Sequence, residues 1–105
     1  MNKPRYAAIV GCNHYYGFRI FKPGMKVILT KEPDNEYDDE AIMVSIKDKG
    51  KIGYIANSTN TVPRGCYSAG RIYDTFEKST TAIVKFVTNS CVIVMLKNKK
   101  RFDRK

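Results

Sequence analysis

Glu32-Pro33-Asp34-Asn35-Glu36-Tyr37-Asp38-Asp39-Glu40-Ala41-Ile42 decides how this chain is read, because it gathers six of the ten acidic residues and no basic one. Taking those six carboxylates out of a chain whose formal charge is +9 leaves +15 on the rest. Pro33 and the Asp34-Asn35 pair oppose regular structure up to Asp39, and an apolar run with strand alternation begins at Ala41. The stretch is a shaped loop feeding a strand; on composition alone a solvated acidic turn accounts for it equally well.

Upstream, Tyr6 to Cys12 is a strand with Ala7 and Ile9 on one face and Tyr6, Ala8, Val10 and Cys12 on the other, and Gly11 permits a bulge. Asn13 to Phe18 follows, too aromatic for an ordinary surface turn. Phe18 and Phe21 read as core around one solvated charge, Arg19. Pro23-Gly24 is a turn, and Met25 to Lys31 alternates as a second strand.

Downstream, Ala41 to Ile46 places Ile42, Val44 and Ile46 on one face, and Lys47 to Gly50 turns it into Lys51 to Ile55 as a hairpin. Ala56 to Gly70 is polar and small, with Pro63 and Gly65 precluding a long helix, and a single helical turn capped by Asn57 or Ser58 fits there. Ile72 and Phe76 are core candidates. Thr81 to Val87 and Ser90 to Lys97 alternate on either side of a Thr88-Asn89 turn. The class is all-β with one or two short helical turns, and some six short strands make either a small barrel or a sandwich.

The length suits one domain, residues 1–96, followed by a basic, flexible tail, residues 97–105. That tail holds six basic residues and one acid, so its net +5 leaves only +4 of the overall +9 for everything before it. A pI near 9.6 favours an anionic partner, nucleic acid before anionic lipid. No apolar run approaches the roughly 20 residues of a membrane span, and no signal-peptide segment opens the chain, so the expectation is a soluble, cytoplasmic protein that does not engage membranes.

Cys12, Cys66 and Cys91 are odd in number and widely spaced, which suits small buried hydrophobes and not a disulfide framework or zinc knuckle. The acidic stretch lacks the central glycine of a calcium-binding loop, and Ser45 stands at the twelfth position from Asp34, where that loop needs glutamate. His14 is the only histidine; an enzyme reading pairs it with Cys12 or Asp38 as a nuclease or thiol hydrolase, but one histidine outside any recognisable motif reads as structural. No catalytic residue, metal or cofactor is expected.

Several motifs occur together in one order: Val10-Gly11 with His14-Tyr15-Tyr16-Gly17, Gly24 opening a strand, Glu32 to Asp38 running into Ala41-Ile42-Met43-Val44, then Gly53-Tyr54-Ile55. From about Tyr6 to Asn57 the chain resembles the HIRAN domain, a module of SWI/SNF-type DNA translocases that also occurs as a stand-alone bacterial protein. The resemblance implies a modified OB-like β-barrel that captures the 3′ end of single-stranded DNA. Its counterparts here are Tyr37 and Asp38, which close on the terminus, with Asn35 beside them. Where the family's first loop has arginine followed by tyrosines, this chain offers Asn13-His14-Tyr15 or His14-Tyr15-Tyr16. Where end-binding members carry a histidine and lysines after the glycine, Tyr54, Ala56 and Asn57 follow Gly53.

The aromatic part of such a pocket is kept and the cationic part thinned. An aspartate accepting a hydrogen bond from a terminal hydroxyl disfavours a 3′-phosphate, and each stacked base contributes about 1 to 3 kcal/mol without demanding a sequence. Phosphates are expected at Arg64 and Arg71, at backbone amides near Gly65, Ser68 and Gly70, and on the tail. The expected function is binding of single-stranded DNA, at its free 3′-hydroxyl end, in repair or replication-fork processing. The alternative is a protein-interaction adaptor whose acidic loop meets a basic partner. The chain holds no ATP-binding loop, so any helicase or nuclease acts in trans.

Overall fold

Apolar residues at every second position, interrupted by turn residues, set six strands. In the computed structural model, which describes residues 4–58, 60–88 and 91–97, these are β1 (Tyr6–Val10), β2 (Lys26–Lys31), β3 (Ile42–Ile46), β4 (Gly50–Ile55), β5 (Ser79–Val87) and β6 (Val92–Leu96). They form a closed barrel in the order β1-β4-β3-β2-β5-β6, and every neighbouring pair is antiparallel. Pairing of β1 with both β4 and β6 closes the ring, which settles barrel against sandwich and leaves no open edge. The result is a small OB-like barrel with one short helix.

Ile9, Val27, Leu29, Ile42, Val44, Val84, Val92 and Val94 fill the interior with no exposed surface. Each contributes roughly 1.5–3 kcal/mol relative to an exposed side chain. On the outer side of β1, Ala8 joins Ala56 and Cys91 in a second small cluster, with Val10, Val62 and Ile93 against it.

Two expectations are corrected. Cys12 does not continue the strand on the Ala8 face: Gly11 takes φ 76°, the chain turns into a 3-10 turn at Cys12–His14, and the thiol enters the main core. Burial pushes that thiol up to about 11, so it stays protonated and unreactive at neutral pH. The short helix does not follow Asn57 or Ser58. It is α1 (Ala69–Ile72), and its cap is Ser68, whose Oγ accepts from Arg71 N at 3.3 Å. Ser58 instead shapes a turn, its carbonyl accepting from Thr61 N and Val62 N, while the Asn57 side chain is committed elsewhere. Ala69 and Ile72 pack on the main core, and Phe76 lies partly buried beside them. Thr88 N donates to Cys91 O at 2.9 Å, which closes the β5–β6 hairpin. Asn89 of the expected turn, and the tail beyond Lys97, lie outside the described residues.

A register irregularity between Val44 and Ser45 sets the outer face of β4: Val44 pairs with Gly53 and Ser45 with Lys51, leaving Ile52 as the extra residue on β4. Ile52 and Gly53 are both buried, so Lys51 and Tyr54 both face out although they stand three positions apart. Gly53 has no room for a side chain, since a Cβ there would lie 2.6 Å from Ile9 Cγ2 and 3.0 Å from Val10 O. Gly53→Ala is expected to lower stability by about 1–3 kcal/mol, seen as a lower urea midpoint at unchanged slope. A wild-type midpoint would show that the β1–β4 seam is not packed as described.

Candidate nucleic-acid interface

The acidic loop is fixed by its own side chains. Asn35 Oδ1 accepts from Tyr37 N at 2.9 Å and Asp38 N at 3.1 Å, the turn that asparagine favours. Asn35 Nδ2 donates to Glu32 Oε1 at 3.0 Å, and Glu32 N donates to Ala41 O at 2.9 Å, so the two ends of the loop meet. Asp38 Oδ1 accepts from Glu40 N and Oδ2 from Asn57 Nδ2, each at 2.9 Å. Asn57 Oδ1 in turn accepts from Gly70 N at 2.7 Å, which ties the loop to α1. A Cβ on Gly70 would come within 2.6 Å of Glu40 Oε1 and 3.2 Å of Asn57 Oδ1, so the loop and α1 approach closely at this point. Tyr37 projects from this frame with 89% of its surface exposed.

Glu32 carries the loop's link to the barrel wall. Tyr54 donates from its hydroxyl to Glu32 Oε1 at 2.7 Å, Lys51 Nζ donates to the Tyr54 hydroxyl at 2.9 Å, and Lys51 Nζ lies 3.6 Å from Glu32 Oε2. Burial alone would push the Glu32 carboxyl up, but hydrogen bonds from Tyr54 and Asn35 and the Lys51 charge hold it below the usual glutamate value. Lys51 is held above the usual lysine value, first by its bond to Tyr54. Burial pushes the Tyr54 phenol up, keeping it the donor to Glu32.

The aromatic loop approaches the same wall from the other end of β4. The buried Cys12 anchors it, its carbonyl accepting from Tyr15 N at 3.0 Å and Gly17 N at 2.8 Å. Tyr15 and Tyr16 are 41% and 50% exposed, and Asn13 and His14 sit exposed at the rim. Lys51 Nζ lies 5.1 Å from the Tyr54 ring centre and 6.0 Å from that of Tyr15, while Lys49 Nζ lies 5.3 Å from Tyr16. The Tyr16 hydroxyl donates to Lys49 O at 3.3 Å. Asn35, Tyr37, Asp38, Tyr54, Tyr15 and Tyr16 are thereby linked along one side of the barrel.

The other expected residues lie apart from this line or play another part. Asn57 is the clamp between Asp38 and α1. Arg71 stacks over Tyr67 at 4.9 Å, and Arg64 is exposed. The amides near Ser68 are not free for an anion: Ala69 N donates to Ala56 O, Gly70 N to Asn57, and Arg71 N to Ser68. On the α1 side, Lys31 Nζ lies 4.5 Å from the Tyr73 ring centre and 5.0 Å from Phe76. Burial, then the carboxylates of Asp39, Glu40, Asp74 and Asp38, push the Tyr73 phenol up. Among the described residues no cluster of His, Cys, Asp and Glu is disposed to hold a metal ion, and no helix is long and apolar enough to cross a membrane.

Residues 5–96 match the HIRAN domain model. The chain belongs to the HIRAN family. A crystal structure of a protein from Lactobacillus plantarum is similar, with 28% identity over 88% of each chain and a TM-score of 0.63. Curated proteins provide no match. HIRAN domains bind DNA and are binding modules without catalysis of their own, so this HIRAN chain is a nucleic-acid-binding module.

Sequence reasoning treated Lys47 to Gly50 of this HIRAN barrel as a hairpin turn and missed the side chains around it. Lys49 and Lys51 were legible only as charges flanking a glycine; the bulge that brings Lys51 onto the face of Tyr54 has no local signal.

Because Glu32 has a folded pKa below its unfolded value, its interactions add stability that is complete above the ordinary glutamate value of 4.5 and is lost as pH falls through the depressed one. Tyr54→Phe is expected to lower neutral-pH stability by about 0.5–1.5 kcal/mol, and its urea-midpoint gap from wild type narrows on acidification. A gap that stays constant down to about pH 3 would show that the phenol does not act through ionised Glu32.

Proposed function

We propose that this HIRAN module holds the free 3′-hydroxyl end of single-stranded DNA at the corner formed by Tyr37 and Asp38. One observation carries the reading: an aspartate positioned by hydrogen bonds on both oxygens stands beside a fully presented tyrosine ring. Each carboxylate oxygen accepts one bond from the protein and keeps acceptor capacity for another. A sugar hydroxyl can donate there. A 3′-phosphate brings negative charge against Asp38 and its neighbours Glu36, Asp39 and Glu40, and is refused.

Tyr37 stacks on the terminal base, and Tyr15, Tyr16 and Tyr54 serve the bases behind it, which gives affinity without sequence preference. Asn35 shapes the loop, Asn57 orients Asp38, and Asn13 and His14 form the rim. Arg64, Arg71 and the basic tail add general attraction for a polyanion. Such a module delivers a helicase or nuclease acting in trans to exposed DNA ends during repair or fork processing.

The test is fluorescence anisotropy with a 5′-labelled single strand ending in 3′-hydroxyl or 3′-phosphate. Wild type is expected to prefer the hydroxyl end by roughly 10- to 100-fold, the size of a hydrogen bond to a charged acceptor. Asp38→Ala abolishes the preference, and Asp38→Asn, which keeps an acceptor without the charge, admits the phosphate. Equal binding of both ends by wild type would contradict end reading. It would favour instead an adaptor in which the exposed Asp34, Glu36, Asp39 and Glu40 meet a basic protein partner.

A further inference from the structure

A strand end held at Asp38 raises a problem of charge. The loop around it carries six carboxylates and no cation, so the phosphates behind the terminal nucleotide must be met outside it. Arg64 and Arg71 belong to the α1 side, with Arg71 set over Tyr67, and the amides beside them already have partners. The opposite direction differs. From Glu32 the surface passes to Tyr54, then Lys51 and Tyr15, then Lys49 and Tyr16, following β4 from the acidic loop toward the β3–β4 turn, a span of roughly 17 Å.

Rings and ammonium groups alternate along that line, with each nitrogen within 5.1 to 6.0 Å of a ring centre. This arrangement suits a single strand, whose bases stack on rings while its phosphates fall between them. Neither lysine is used up by the fold. Lys49 is exposed, and Lys51 donates one hydrogen bond to Tyr54 and lies 3.6 Å from Glu32, with its side chain 36% exposed and ammonium donors to spare. The remaining acids near the line are Glu32, shared with Tyr54 and Asn35, and the exposed Asp48 in the turn.

Resting on the reading that a 3′ end sits at Asp38, we infer that Lys49 and Lys51 are the phosphate-binding residues of this module, and that the strand runs back from the loop along the outer face of β4 toward Tyr16. The residue after Gly53 contributes a ring, and the hairpin contributes the charge.

The experiment measures the salt dependence of binding for the full chain with a 5′-labelled oligothymidylate ending in 3′-hydroxyl and again in 3′-phosphate. Removing one lysine–phosphate pairing lowers the slope of log K against log salt by about 0.7 for a single strand. Lys49→Met and Lys51→Met each remove about one such step and the double variant about two, while Lys51→Arg retains the wild-type slope. Lys85→Met, an exposed charge on β5 across the barrel from β4, leaves the slope unchanged. A urea midpoint for each variant separates unfolding from a missing phosphate partner. A double variant that is folded and keeps the wild-type slope overturns the track even when the hydroxyl preference persists. A reduced slope in the double variant with no hydroxyl preference in wild type supports the track and overturns end reading alone. Absence of any binding by wild type overturns both.

Discussion

Glu32 is a half-buried carboxylate on which the loop, the barrel wall and the hairpin converge. It closes the loop through its backbone bond to Ala41, receives Asn35 from within the loop and Tyr54 from β4, and faces Lys51. An exposed ion pair contributes little, about 0–1 kcal/mol, so the Lys51 pairing alone could not hold such a structure. The hydrogen bonds do the holding. They are charge-assisted, partly sheltered and shared, which gives the loop one shape despite the mutual repulsion of its carboxylates.

That shape has a functional consequence. Repulsion among six acids opposes any fixed conformation, and a loop kept only for solubility would need no internal clamp. Here Asn35 organises Tyr37 and Asp38 from one side, and Asn57 reaches Asp38 from the other while holding α1. Much of the loop's polar capacity is spent on presenting one carboxylate and one ring. Presentation without movement is what recognition of a small terminal group requires.

The barrel was largely legible because its signals are local. Alternation located all six strands within a few residues, Pro23-Gly24 gave a turn in which Met25 N bonds Lys22 O, and the acidic stretch proved a loop feeding β3. What escaped is long-range. Asn57 looked like a helix cap because asparagine often is one, but its side chain spans 19 residues to Asp38 and 13 to Gly70, leaving Ser68 to cap the helix. Cys12 looked like a strand residue until the positive φ of Gly11 turned it inward. Lys51 and Tyr54 belong to opposite faces by strict alternation, and only the bulge on β4 unites them. The residues linking loop to hairpin were therefore the least visible in the sequence, and the motif residues of the HIRAN family the most visible.

The most direct measurement is an amide chemical-shift titration of the 15N-labelled protein with an oligothymidylate ending in 3′-hydroxyl. The account predicts that the perturbed amides trace a continuous line from Tyr37 and Asp38 through Lys51 and Tyr54 to Tyr15 and Tyr16. Perturbations confined to the Arg64 to Arg71 side, with the acidic loop and the β3–β4 hairpin unmoved, would contradict it.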